Sequence, residues 1–221
     1  MEQKVAEALK SIMNTLPEGV QLIAVSKTKP VEMIEEAYRA GHRDFGENRI
    51  QEMAEKAEKL PRDIRWHMIG NVQSNKIKYM APFVHLVHGL DKPKRLKDLN
   101  KEARKADRVI QALIQIHIAR EESKFGFSYQ EAAEILTPET LRNYPHLKIR
   151  GLMGMATLTD NEDQIRQEFA GLATFYQRSR EILKSPDFDI LSMGMSGDYQ
   201  IAIEEGSNQV RIGSAIFGAR N

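Results

Sequence analysis

The sequence predicts a single (β/α)8 barrel preceded by an extra amino-terminal helix. Three observations carry that expectation. Short apolar runs alternate with amphipathic stretches from end to end, the pattern of a parallel sheet joined by helical crossovers. The alternation gives eight strand-helix units within 221 residues, the number that closes a barrel, with an open doubly wound sheet as the alternative. No linker or low-complexity tract divides the chain, so residues 1–221 read as one domain.

Residues 2–15 form the extra helix, with Val5, Leu9 and Ile12 at helical spacing. Val20–Ser26 is the first strand. Pro30 suits the first turn of a helix carrying Met33, Ile34 and Ala37 on one face. Asp44-Phe45 is a short strand ended by Gly46, followed by a helix through Ile50, Met53, Ala54 and Ala57. Arg65–Ile69 is the third strand, Val72–Met80 a short helix, Phe83–Val87 the fourth strand and Pro93–Lys105 a highly charged helix. Val109–Ile118 is the fifth and longest strand. Ser128-Tyr129-Gln130-Glu131 has the form of a capping box, in which each end satisfies an orphan amide. Ile149–Met153 is the sixth strand, Glu162–Leu183 a long helix, Phe188–Met193 the seventh strand, Tyr199–Glu205 a short helix and Gln209–Ile212 the eighth strand.

Charge is nearly balanced, 32 basic against 31 acidic residues, which gives no case for a nucleic-acid or membrane-surface partner. The absence of cysteine excludes a disulfide scaffold, a zinc-thiolate site and a cysteine nucleophile. No apolar run approaches the ~20 residues of a membrane span, and Met1-Glu2-Gln3-Lys4 lacks a signal-peptide core. A cytoplasmic protein is expected.

The chemistry centres on Lys27. It follows the apolar run Leu22-Ile23-Ala24-Val25-Ser26, at the strand end where barrel enzymes place their chemistry. A charged amine there is costly unless it is paired, or unless it is neutral and reactive toward aldehydes. Lys27 is therefore a candidate holder of a carbonyl cofactor. Lys29 is the competing amine, but it directly precedes Pro30 and falls on the loop. A phosphate site is expected from the loops after strands seven and eight. These read Gly194-Met195-Ser196-Gly197-Asp198 and Arg211-Ile212-Gly213-Ser214. Their glycines admit a close anion, their serines add donors, and helix starts at Gly197 and Ser214 would add the favourable dipole end. Arg211 could bind phosphate, pair with a carboxylate or face a ring nitrogen, in each case only as a donor.

Asn48 and His67 could reach a ligand at the barrel mouth; a helix cap and a core imidazole are their structural alternatives. His85 and His88 lie three apart without an obvious third ligand, so no metal is expected. Lys92, Lys94, Arg95 and Lys97 read as a solvated face. Lys124 is a possible second amine, with a surface lysine the simpler reading, and Tyr199 is expected to pack.

Seven blocks in order resemble the pyridoxal 5′-phosphate homeostasis proteins, single-barrel relatives of the alanine racemase amino-terminal domain. They are Ala24-Val25-Ser26-Lys27-Thr28, Phe45-Gly46-Glu47-Asn48-Arg49-Ile50-Gln51-Glu52, the run from Trp66 to Lys76, Ser123-Lys124-Phe125-Gly126, Leu152-Met153-Gly154-Met155-Ala156, the run from Ser192 to Asp198 and the run from Arg211 to Arg220. The resemblance implies a fold-type III pyridoxal phosphate barrel with the cofactor as a Schiff base on Lys27. It places the phosphate on the Ser196-Gly197 and Gly213-Ser214 amides and Arg211 against the pyridine nitrogen. It also implies a non-catalytic role in vitamin B6 and amino-acid homeostasis. The partners it suggests are cofactor-accepting apoenzymes or a regulatory protein, and a monomer is expected. A racemase-like enzyme of low activity is the alternative; it would need acid-base groups on both faces of the substrate, and racemase-type relatives draw one from a further domain. A cofactor-free phosphosugar isomerase or aldolase is a third reading, disfavoured because Gly154-Met155-Ala156-Thr157 offers no carboxylate base.

Overall fold

A computed structural model of the protein describes residues 4–121 and 125–219. Eight parallel strands close into a barrel in chain order. They are β1 (Gln21–Val25), β2 (Asp44–Glu47), β3 (Arg65–Met68), β4 (Leu86–Leu90), β5 (Ile110–Ile116), β6 (Leu147–Gly154), β7 (Ile190–Met195) and β8 (Gln209–Ile212), and β1 pairs with β8 to close the ring. The helices are α1 (Lys4–Thr15), α2 (Val31–Arg39), α3 (Ile50–Lys59), α4 (Ile77–Met80), α5 (Pro93–Lys105), α6 (Tyr129–Ile135), α7 (Pro138–Leu141), α8 (Glu162–Leu183), α9 (Tyr199–Glu204) and α10 (Ser214–Phe217). The closed ring settles the choice against an open sheet.

The main apolar core lies between strands and helices. The outward faces of the strands meet helix residues such as Ile34, Met53, Leu96, Leu99, Phe169 and Leu172. A second, smaller cluster inside the barrel joins Leu86, Leu113 and Met153. The extra helix has a packing reason. Among the described residues β8 is followed by the one-turn α10, too short to cover the β8–β1 seam. α1 lies against α10 and α2 and buries Val5 and Leu9 there. Glu36 of α2 accepts the Val5 and Ala6 amides at 2.9 and 3.0 Å, satisfying donors that a helix start leaves open. The capping box at Ser128 and Glu131 forms as expected.

Several boundaries differ from the sequence reading. β2 continues through Gly46 to Glu47; a side chain at Gly46 would meet Ile23 and Ile69 within about 3 Å, so this glycine admits close packing inside the barrel. β4 starts at Leu86, three residues late, because Phe83 and Val84 turn their amides onto the Met80 carbonyl and finish the preceding helix. The stretch from Val72 to Met80 is a 3-10 turn at Ser74–Lys76 followed by α4. The longest strand is β6, with eight residues against seven in β5. Its register against β5 slips between Ala112 and Leu113, where Gly151 adopts φ +150°. The short helix α7 was not anticipated; Thr137 caps it and Pro138 opens it. α9 begins at Tyr199, not Gly197.

Candidate functional site

The registered pair Val25–Gly46 marks the carboxyl ends of β1 and β2. Lys27 and Asn48 each lie two residues beyond it, at the same end of adjacent strands. Lys27 is half-buried in a turn over residues 26–29, closed by the Lys29 amide on the Ser26 carbonyl at 3.1 Å. Lys29 Nζ donates to the Ala219 carbonyl at 2.8 Å. Asn48 is half-buried and caps no helix: Arg49 holds the cap position of α3, without a side-chain bond. The Asn48 backbone passes so close to Gly70 that a Cβ on Gly70 would lie 2.3 Å from the Asn48 carbonyl oxygen.

The two expected phosphate loops meet. Gly213 N donates to Ser196 Oγ at 3.3 Å, and Gly213 packs against the end of β1, where a Cβ would lie 3.0 Å from the Val25 carbonyl oxygen. Ser196, Gly197, Gly213 and Ser214 thus share one end of the barrel with Lys27. Ser214 and Ala215 are exposed at the start of α10, where first-turn amides have no intrahelical acceptor. Space around Gly197 is open, with no atom within 4 Å of an added Cβ. Gly194, at φ +91°, brings the β7 end against α9, where a Cβ would stand 2.7 Å from Ala202 Cβ. Asp198 Oδ1 accepts the Met195 amide at 2.6 Å and folds the seventh loop back on itself.

Beneath the mouth the barrel interior is polar. Arg211 Nη1 donates to the Ser192 carbonyl at 3.0 Å and to Ser192 Oγ at 2.7 Å, and Nη2 donates to the Gly154 carbonyl at 3.1 Å. Ser192 Oγ lies 3.4 Å from His88 Nδ1, His88 Nε2 lies 3.1 Å from His67 Nδ1, and His67 Nε2 lies 3.0 Å from Asp44 Oδ1. Asp44 also takes the Arg65 guanidinium, at 2.7 and 2.5 Å. The donors in this chain run one way. Arginine only donates, so the Ser192 hydroxyl accepts from it and passes its own proton toward His88 Nδ1. His88 then donates from Nε2 to His67 Nδ1, and His67 donates from Nε2 to the Asp44 carboxylate. Both imidazoles are neutral in this arrangement. Burial agrees, lowering the pKa of His67 and of His88. Burial works to raise the Asp44 pKa, but the bonds from Arg65 and His67 outweigh it and hold the carboxyl well below the usual range. Desolvation brings Arg211 down to about 10, which still leaves it cationic at neutral pH.

A second polar cluster lies under the Lys27 turn. Lys56 of α3 is 6% exposed and donates to the Ser26 carbonyl, Glu47 Oε1 and Glu52 Oε1 at 2.9, 2.8 and 2.7 Å. Ser26 Oγ donates to Glu47 Oε1 at 2.6 Å. Glu47 is fully buried and its Oε2 has no partner. Desolvation pushes its pKa up to about 7, against the pull of Lys56.

The sequence reading of the site therefore separates into two levels. Lys27, Asn48, Ser196, Gly197, Gly213 and Ser214 converge at the mouth. Arg211 and His67 lie inside the barrel, and both His67 ring nitrogens are taken by protein partners. Asp44, Glu47, Lys56, His88 and Ser192 were missed as site components. Their signal was present as polar residues within apolar strands, and in Lys56 as one lysine on the buried side of an amphipathic helix. His88 was weighed only as a metal ligand; no metal-ligating cluster occurs among the described residues. Lys92, Lys94 and Lys97 are exposed as expected, while Arg95 turns back onto buried Asp91. Tyr199 sets its hydroxyl 3.1 Å from Thr15 Oγ1. Lys124 lies outside the described residues. No helix among the described residues is long and apolar enough to cross a membrane.

A pyridoxal phosphate molecule fits this donor set. Arg211 carries five N–H groups and spends three on Ser192 and Gly154, so donors remain for an unprotonated ring nitrogen. The first-turn amides of α10, beside the two touching loops, suit a phosphate, and the Lys27 turn carries an amine.

The chain is similar to known proteins over nearly its whole length. The family model "Alanine racemase, N-terminal domain" matches residues 2–221. The pyridoxal phosphate homeostasis protein of Vibrio alginolyticus is 46% identical, over 93% of this chain and 88% of that protein. Its Escherichia coli counterpart is 38% identical, over 93% and 88%. The structure of PipY from Synechococcus elongatus with pyridoxal phosphate bound matches with TM-score 0.86 at 34% identity, over 97% of this chain and 100% of that one. Alanine racemase from Bartonella henselae shares the fold at 17% identity, TM-score 0.74, over 99% of this chain and 59% of that one. The chain belongs to the alanine racemase N-terminal domain family and, within it, to the pyridoxal phosphate homeostasis proteins.

Proposed function

We propose that the protein binds pyridoxal 5′-phosphate and holds it reversibly on Lys27, keeping the cofactor available without running a reaction of its own. One observation carries this reading: a turn bearing an amine and two touching Gly-Ser loops share one barrel mouth, above a buried arginine with unspent donors. The cofactor-bound structure of PipY, at 34% identity over nearly the whole chain, supports it.

When bound, the cofactor supplies an aldehyde that forms a reversible carbon–nitrogen double bond with an amine, and a ring able to withdraw electrons. Lys27 would supply the amine, reacting in its unprotonated form with its two protons leaving with the carbonyl oxygen as water. Exchange with an incoming amine would free Lys27 again. The Ser196, Gly197, Gly213 and Ser214 groups hold the phosphate as donors. Asn48 borders the amine at the neighbouring strand end. His67 acts from below, through His88 and Ser192, by fixing the Arg211 guanidinium.

Arg211 favours a carrier over an enzyme. A guanidinium whose pKa stays near 10 donates to the ring nitrogen and leaves it unprotonated, so the ring is a weak electron sink. The names of the relatives, homeostasis proteins rather than racemases, point the same way. The test is a transfer assay. Loaded protein should hand pyridoxal phosphate to an apoenzyme that requires it, while racemising free amino acids no faster than the unbound cofactor does. Turnover of any amino acid well above that background would refute the carrier reading.

A further inference from the structure

Lys27 sits in a turn that its own Lys29–Ser26 hydrogen bond does not hold alone. Thr28 adopts φ +62°, a left-handed conformation that L side chains disfavour. Such a conformation persists only where its surroundings impose it. Lys27 is bracketed on both sides. The carbonyl before it, Ser26 O, accepts from Lys56 Nζ at 2.9 Å. The amide after it, Thr28 N, donates to Glu52 Oε1 at 2.6 Å, and the same oxygen takes Lys56 at 2.7 Å. The third proton of the ammonium goes to Glu47 Oε1, which also holds the Ser26 hydroxyl. All three Lys56 donors are thus spent on the turn and its two carboxylate supports.

We propose that Lys56 is a positioning residue for Lys27: its buried ammonium, working through Glu52 and Glu47, locks the strained Ser26–Lys29 turn from which the reactive amine projects. The proposal rests on the reading of Lys27 as the residue that captures the aldehyde. Lys56 touches neither the aldehyde nor the phosphate; it sets the backbone that presents the amine. An ordinary buried ion pair would need one acid. Here a single lysine joins two carboxylates and a main-chain carbonyl across β1, β2 and α3.

The experiment compares two probes on the cofactor-free protein. Pyridoxal 5′-phosphate needs both the anchor loops and a well-placed amine. Pyridoxine 5′-phosphate has the same ring and phosphate but an alcohol in place of the aldehyde, so it reads the anchor alone. In Lys56→Met, affinity for pyridoxal phosphate should fall about tenfold, the scale of one lost hydrogen bond to a charged group, with a matching loss of the absorbance band of the lysine linkage. Affinity for pyridoxine phosphate should be unchanged. Equal weakening of both probes would assign Lys56 a merely structural role and overturn the proposal, as would no change in either. Glu52→Gln covers the case in which Lys56→Met fails to fold, because it keeps an acceptor for Thr28 N and removes only charge. It should lower pyridoxal phosphate affinity by about threefold and leave pyridoxine phosphate alone; no loss there overturns the proposal. Borohydride trapping on the wild-type protein separates the underlying reading: label on a residue other than Lys27 defeats that reading directly, before any variant is made.

Discussion

Glu47→Gln should change the pH dependence of stability in a calculable way. Glu47 is fully buried, with one carboxylate oxygen unpartnered. Burial raises its folded pKa to about 7 from an ordinary 4.5. The folded state therefore binds this proton more tightly than the unfolded state does. Glu47 costs nothing below its unfolded pKa, and stability falls as pH rises toward the folded one. The full cost above pH ~7 is about 3 kcal/mol, at roughly 1.4 kcal/mol per unit. Glutamine at this position keeps acceptors for Ser26 Oγ and Lys56 but does not titrate. Urea unfolding of the cofactor-free wild type and Glu47→Gln, followed by circular dichroism across pH ~4.5 to ~8, gives the difference directly. The buried histidines, whose lowered pKa values act in the opposite sense, are common to both proteins and cancel. The variant should gain about 3 kcal/mol relative to wild type over this window. Parallel curves, or a difference of opposite slope, would refute the account of Glu47 as a buried, desolvation-dominated carboxyl.

Further outcomes are expected. Lys27→Ala should fold normally, lose the reducible linkage and retain weak phosphate-anchored binding; global unfolding in circular dichroism would mark the lysine as structural. Ser192→Ala removes the hydroxyl joining Arg211 to His88. It should cost about 1–2 kcal/mol in urea unfolding, and it should shift the absorbance of bound cofactor because Arg211 loses one of its anchors; an unchanged spectrum would argue against Arg211 facing the ring. Gly194→Ala places a Cβ at φ +91°, 2.7 Å from Ala202 Cβ, and should destabilise by about 2–4 kcal/mol; a neutral thermal shift would show that the β7–α9 junction relaxes freely.

The barrel was legible because its signal is repeated eight times. Strand runs and amphipathic stretches alternate, and an error in one unit leaves the count intact. Boundaries were weaker where a local signal misled. Gly46 reads as a strand end but is an interior position packed against Ile23 and Ile69. Phe83 and Val84 read as strand but close the preceding helix. That Lys27 and the Gly-Ser loops share one end of the barrel was legible because strand ends on a closed parallel barrel all face the same way, a rule about position. The supports were not. Lys56 and Glu52 are spaced i, i+4, which in sequence looks like an exposed surface pair, yet Lys56 is buried beneath the Lys27 turn. Asp44, His67, His88, Ser192 and Arg211 sit on five strands spread along the sequence, and only barrel closure brings them into one chain of hydrogen bonds.

The chain of donors from Arg211 to Asp44 and the clamp under Lys27 divide the work. One fixes the group proposed to meet the ring, and the other fixes the turn that carries the amine. Both are built from buried polar groups whose partners lie on different strands or helices, so each depends on the closed barrel for its geometry.

The most direct test of the central claim is borohydride reduction of the protein loaded with pyridoxal 5′-phosphate, followed by peptide mapping. Reduction should abolish the yellow absorbance band and leave a pyridoxyl mass on the peptide containing Lys27. No band after loading, or label confined to another lysine, would contradict the account.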